Sequence, residues 1–537
     1  MMENLLAGAN GTSLRYARIA FLVALVSLAI GGVAAIVVGF SRAMFLTSID
    51  PGLYYRFLTI HGVNMLILWL PFFEVGALYA IMAIFIKKPP LGGLSTIIAY
   101  GFLIAGWFLL NWSAIYGSPP VLYTAYTPLA ADPLFYIGYE FLSIGVLIAS
   151  AIYIATLLKS ENRGSLIPWG GGVAAIIAIA TSVNGIAAFA IPLLSIYGAV
   201  GSNPLYYHWI FWGFGHDAQY INASATVLAW YLLLALGSGM AFMRYVSGAI
   251  AKLELILILI FVTPGIGHHI LVDPMYSTAL KNASGNIGSH LLATGSLVSA
   301  FSVVGGVETL LRSAGYSRGL LGWIRGIPWK NPGFAGAVFS MVLFSIGGIS
   351  SINLATMPTN IALHNTMWVP GHIHFIVAGG TTLAFMALSY YLVPLVFRRR
   401  LCSARLASIQ IYAAFIGILI QGSSMLILGW EGAPRRTLLT PDIMDPRWWL
   451  PSTILGVGAS IFVISGILFL ANILLTIAGK STGHGIPGEL VIEIKENSNR
   501  DPSKKGTLTL LLTIMIASII LLTITLIKLA ISPVGIG

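Results

Sequence analysis

Apolar runs of about 20 residues or more, broken by short polar turns, recur from one end of the chain to the other. Each run is long enough to cross the ~30 Å hydrocarbon core of a bilayer as a helix. Lipid offers the backbone no hydrogen-bond partners, so helices are the expected spanning element. The pattern predicts about thirteen spans, near 16–41, 55–86, 91–115, 132–158, 169–199, 205–243, 252–272, 286–312, 334–356, 365–397, 404–430, 450–478 and 508–531. The expected fold class is an all-α integral membrane protein, with residues 1–537 forming one transmembrane domain. The only long polar connection, 479–507, reads as an inner-side loop before the last helix, with a short strand at 490–494. No internal repeat stands out. The first run follows Arg15 and Arg18 and is too long for a signal core, so it reads as a retained helix.

Composition sharpens this picture. The chain is 57% hydrophobic and 8% charged, against roughly 25% charged in soluble globules, which excludes a water-soluble protein. Cys402 is the only cysteine. That excludes disulfide scaffolds, iron–sulfur clusters and a two-cysteine copper centre within this chain. A net charge of +11 would suit nucleic acid, but the basic residues lie in short loops and set topology instead. With the N-terminus inside, most of the 28 lysines and arginines fall on the inner side, among them Lys87, Lys88, Arg244, Lys252, Arg318, Arg325, Arg398, Arg399 and Arg400. The chief exception is Arg435, Arg436 and Arg447 in the outer 431–449 loop. Trp448 and Trp449 read as interfacial anchors.

On this topology six histidines fall at one depth. His61 is early in the inward second span, and His216 is about a third of the way along the inward sixth. His268 and His269 are late in the outward seventh, and His372 and His374 are early in the inward tenth. A lone buried histidine is more often a hydrogen-bonded core residue than a ligand. Six at one level in the outer half of a membrane ask for another reason, because ionisable groups there are costly and usually functional. Neutral imidazole binds copper or iron without adding buried charge. Within HNTMWVPGHIH (364–374), His372 and His374 are two positions apart. At about 100° per residue they point to nearly opposite sides of one helix and suit different ions. Adjacent His268 and His269 with His216 can form a three-imidazole copper site. His61 and His374 can close on both faces of one haem iron, and His372 can hold a second haem with one face open. An open iron facing copper suits binding and reduction of a small diatomic molecule. His208, His290 and His484 read as ordinary.

These residues carry a resemblance. HNTMWVPGHIH, the HH pair and GHDAQY (215–220) are similar to motifs of subunit I of the haem–copper oxygen reductases, over nearly the whole chain, and look nearest to the type B branch of thermophilic bacteria and archaea. The resemblance implies a terminal oxidase core subunit reducing O2 to water in a prokaryotic plasma membrane, with cytoplasmic N-terminus and some proton pumping. It implies two haems, expected to be a-type, and one copper. His61 and His374 would be the low-spin haem ligands, His372 the high-spin haem ligand, and His216, His268 and His269 the copper ligands. Tyr220, one helical turn after His216, would be the covalently linked tyrosine that supplies an electron and a proton; the alternative is an ordinary core tyrosine. Arg435 and Arg436, with His364 nearby, would hold haem propionates. GSLVSAFS would be a hydroxyl ladder, so that protons climb by Ser302, Ser299, Tyr231 and Ser296 to Tyr220; the alternative is that small hydroxyls allow close helix packing.

The pattern is not followed throughout. Asp217 stands where the family usually has proline, which leaves local helix geometry open, and Ala218 stands where type A oxidases have glutamate. Asp217, Glu74 and Glu140 carry no assigned role. Expected partners are O2, a quinol or small redox protein as donor, other oxidase subunits including a subunit II, and lipid, but no nucleic acid. Two other functions fit parts of the sequence. A nitric oxide reductase of the same superfamily would lack the linked tyrosine, and a haem-free secondary transporter also uses Gly/Pro-interrupted helices.

Overall fold

The computed structural model describes residues 6–201, 203–479 and 490–491. Twelve spans lie among these residues: α1 Gly11–Arg42, α2 Pro51–Ile86, α3 Gly93–Tyr116, α4 Pro133–Leu158, α5 Leu166–Ile196, α6 Pro204–Gly237, α7 in two parts, Gly248–Phe261 and Thr263–Ile270, α8 Thr278–Ser313, α9 Pro332–Ala355, α10 Trp368–Phe397, α11 Ala404–Trp430 and α12 Pro446–Ala478. They correspond one for one to the first twelve predicted. The thirteenth span (508–531), the 479–507 loop and the strand at 490–494 fall, apart from Gly479, Leu490 and Val491, outside the described residues. Among the described residues there is no strand, only one isolated bridge between Thr366 and Pro434.

Sharp helix starts follow from a repeated local device. Asp50, Asp132, Asn203 and Asn331 each accept a backbone N–H of the first turn, and each is followed directly by proline. The side chain satisfies an orphan donor, and the proline occupies a position whose N–H has no helical partner. Packing between spans relies on small residues, since lipid removes most of the hydrophobic drive for helices to pair. Gly417 on α11 and Gly458 on α12 show how close the approach is. A Cβ at Gly417 would meet the Phe462 backbone nitrogen at 2.7 Å, and one at Gly458 would meet that of Gln421 at 2.5 Å.

Burial ranks the helices. The most apolar window is 89% enclosed in α2, α6 and α10, but 33% in α3 and 28% in α12. The three innermost helices are those that carry His61, His216, His372 and His374. Two of them are also locally underwound. α2 has π-helical turns at Val63–Leu68 and Met82–Ile86, and α10 has one at His374–Thr382. Such turns are rare and concentrate at functional sites. Here the first follows His61 closely and the last begins on His374.

Candidate functional site

Three histidines from two elements, α6 and α7, meet inside the bundle. α7 does not run straight as predicted. It bends by 54° at Thr263, where Pro264 lacks the N–H that an α-helix needs, and continues as a 3₁₀ turn through His268 and His269. Asp217 braces the bend: its Oδ2 accepts from Thr263 Oγ1 at 3.1 Å and from Asn184 Nδ2 of α5 at 3.2 Å. The helix around GHDAQY is continuous despite the missing proline.

The bend turns the histidine pair toward His216. Ring centroids are 4.9 Å apart for His216 and His268, 5.4 Å for His216 and His269, and 4.0 Å for His268 and His269. One nitrogen from each ring lies within 4.8 Å of the others. His268 Nδ1 donates to the Gly265 carbonyl at 2.9 Å, which leaves its Nε2 as a lone pair. His216 Nδ1 and His269 Nε2 face each other at 3.3 Å, a contact that needs a proton or a cation between them. His216 Nε2 is buried with no partner. An all-imidazole trio of this kind fits copper. The Tyr220 ring lies 4.9 Å from His216 at 41°.

A brace missed in the sequence holds this trio. Trp212 stacks on His269, with centroids 3.6 Å apart and planes 4° off parallel. Its indole donates to His208 Nε2 at 2.9 Å, and His208 Nδ1 pairs with Asp273 Oδ2 at 2.7 Å. His208 is therefore tied to the site rather than set apart from it. The signal was its spacing: His208, Trp212 and His216 recur every four residues on one face of α6.

The other three histidines share one arrangement. Nδ1 donates to a backbone carbonyl in each: His61 to Gly31 at 3.0 Å, His374 to Pro370 at 2.7 Å and His372 to Gly347 at 2.9 Å. A carbonyl can only accept, so the proton is on Nδ1 and Nε2 carries the free lone pair, the usual orientation of ligating histidines. Three such free imidazole nitrogens, carried on the most enclosed helices α2 and α10, fit haem irons as ligands.

Above this layer the outer loop is stitched to the turn before α10. Met367 N donates to Ala433 O at 2.8 Å and Arg435 N to Asn365 O at 3.1 Å. Arg435 Nε also reaches Asn365 Oδ1 at 3.4 Å, and Asn365 is the residue after His364. Arg436 lies over the Tyr126 ring, 5.2 Å from its centroid. Neither guanidinium has an ion-pair partner among the described residues, whereas Arg447 pairs with Asp445 and Glu431. Burial, and then the charge of Arg436, lower Arg435 to about 10. Two adjacent cations without carboxylates fit an anionic ligand such as a propionate.

The inner side is joined only in part. Tyr231 lies 2.8 Å from Ser302 Oγ, and Ser299 is buried one turn earlier. No side-chain hydrogen bond joins Ser296 to Tyr220 among the described residues. Tyr231 is eleven residues, ~16 Å along the helix, from Tyr220. A carboxylate absent from the predicted path, Glu254 of α7, accepts from Tyr231 at 2.8 Å. Its signal was an acidic residue within an apolar span. Glu74 lines an apolar cavity between α2, α4, α5 and α6, and Glu74 Oε1 and Glu140 Oε1 are buried without partners.

Comparison with known proteins gives concordant results. Residues 15–461 match the family described as cytochrome c and quinol oxidase polypeptide I. Cytochrome c oxidase subunit 1 of Thermus thermophilus is 29% identical over 439 residues, 79% of this chain and 75% of that one. Quinol oxidase subunit 1 of Sulfolobus acidocaldarius is 26% identical over 434 residues, 76% of this chain and 78% of that one. A cryo-EM structure of a haem–copper terminal oxidase dimer superimposes with a TM-score of 0.78 at 26% identity, covering 92% of this chain and 88% of that one.

Proposed function

The chain belongs to the cytochrome c and quinol oxidase polypeptide I family and is subunit I of a haem–copper oxygen reductase, and from that premise we propose that it carries out the terminal reduction of O2 to water. The observation that carries this reading is the approach of ring nitrogens from His216, His268 and His269 to within 4.8 Å, with Tyr220 beside His216. The haems and copper supply the electron transfer and oxygen chemistry when bound. The chain's residues hold, orient and protonate. His216, His268 and His269 would ligate copper, His372 the high-spin haem, and His61 and His374 the low-spin haem. Trp212, held by His208 and Asp273, fixes the plane of His269. Arg435 and Arg436, with His364, neutralise propionates. Tyr220 holds a proton at its hydroxyl next to the copper trio, and its presence argues against a nitric oxide reductase.

In this reading the N-terminus faces the cytoplasm of a prokaryote, the chain is of the type B branch, and some protons are pumped. Electrons come from a quinol or a small redox protein, in the latter case through a subunit II. A reduced-minus-oxidised spectrum with metal analysis of the purified enzyme tests the core. Two haem signals and about one copper per chain are expected, and a preparation without haem would return the chain to the transporter reading. Turnover with quinol against reduced cytochrome c identifies the donor.

Protons for the reaction would rise from the inner side past Ser302, Ser299, Tyr231 and Ser296 to Tyr220. Ser299→Ala should slow turnover and proton uptake roughly several-fold, the low end for a proton-transfer group. If the serines only allow helices to pack closely, alanine is equally small and uptake will stay at the parent rate.

A further inference from the structure

We propose that Glu254 is the group on which a proton waits between the inner surface and the metal layer, a role that extends the proton route above and rests on it. Glu254 lies six residues into α7 from Gly248, and Tyr231 lies six residues from the end of α6 at Gly237. Both are therefore ~9 Å inside the adjoining ends of α6 and α7, which the 238–247 turn connects. Glu254 and Tyr231 are fully buried. Their nearest basic neighbour on α7, Lys252, is turned away, with Nζ donating to the Gly164 carbonyl at 2.6 Å. Among the described residues Glu254 has no ion-pair partner, and its Oε2 has no hydrogen-bond partner at all. A buried carboxylate held at one oxygen only, with no cation beside it, is costly when ionised unless it can take up a proton.

Its bonded side shows where that proton can go. The Tyr231 hydroxyl is 2.8 Å from Glu254 Oε1 and 2.8 Å from Ser302 Oγ. One hydrogen cannot serve both contacts, so Tyr231 donates to one and accepts from the other. With Glu254 ionised, the Ser302 hydroxyl donates to Tyr231 and Tyr231 donates to Glu254. With Glu254 protonated, the order reverses: Glu254 donates to Tyr231 and Tyr231 to Ser302. The two orders are the ends of one transfer. A proton arriving from the inner side at the Ser302 oxygen sends the Ser302 proton to the Tyr231 oxygen as the Tyr231 proton passes to the carboxylate. The carboxyl then holds that proton for onward transfer toward the metal layer. No electron moves, and rotation of the two hydroxyls resets the wire. Ser299, buried one turn nearer the metal layer than Ser302 and donating to Gly295 O at 3.0 Å, is the next hydroxyl along α8.

The test uses the intact oxidase. Glu254→Gln keeps the shape and the acceptor but cannot carry the proton. Proton uptake, followed with a pH dye after photolysis of a carbon monoxide complex in the presence of O2, should slow about 10- to 100-fold, with both haem signals unchanged. Glu254→Asp should recover most of the rate. Infrared difference spectra should contain a carboxylic acid C=O band that shifts in D2O and is missing in Glu254→Gln. Uptake at the parent rate in Glu254→Gln, with haems in place, would overturn the assignment. Tyr231→Phe breaks the wire and leaves the carboxyl, so parental uptake in that variant would overturn it equally, even if Glu254→Gln fails to assemble. A parent enzyme without haem would instead remove the oxidase reading on which the route depends.

Discussion

His372→Ala should leave the enzyme assembled, with its low-spin haem signal intact and its turnover reduced by more than about a thousandfold, a barrier increase of at least ~4 kcal/mol. The ring is anchored at one end only: Nδ1 donates to Gly347 O at 2.9 Å, with Ser350 Oγ at 3.3 Å. The free Nε2 is what alanine removes. Deleting one ring in a bundle with twelve described spans costs stability but leaves the packing of α2 and α10 around His61 and His374 unchanged. The result separates the two haems by residue. His61→Ala should abolish the low-spin signal instead. If His372→Ala retains both haem signals and appreciable turnover, the division of ligands between His372 and His374 is wrong.

Tyr220→Phe should reduce O2 consumption about 10²- to 10⁴-fold, the range expected when a positioned proton donor is lost. Phenylalanine keeps the ring that packs 4.9 Å from His216 and removes only the hydroxyl. Haem spectra and binding of carbon monoxide should therefore match the parent, while turnover collapses. A variant within about threefold of the parent would make Tyr220 an ordinary core residue and reopen the nitric oxide reductase reading.

The spans were legible because an apolar run of the right length has one stable outcome in lipid. The trio of His216, His268 and His269, which do come together, was legible because position along a span needs no knowledge of which helices touch. Lateral neighbours were harder to see. His208 looked ordinary because its partner Asp273 is 65 residues away, and no periodicity in one helix announces a partner in another. Glu254 was passed over for the same reason, since its meaning depends on Tyr231 and Ser302 facing it across helix boundaries. The break in α7 had a visible cause in Pro264, yet the surrounding hydrophobicity read as one straight span. Its size, and the way it swings two histidines toward a third, came only from three dimensions. Arg435 and Arg436 stood out because they depart from the expected charge pattern of the loops, and neither has an ion-pair partner among the described residues.

The tie between residues 365–367 and 433–435 makes the outer loop and the launch of α10 one mechanical unit. Lengthening the loop beyond Thr437 would be absorbed at the surface. Removing a residue between Trp430 and Pro434 would drag Thr366 and Met367 with it. The shift would then reach His372 five positions downstream of Met367, so a lesion touching no imidazole would register as displaced absorption bands.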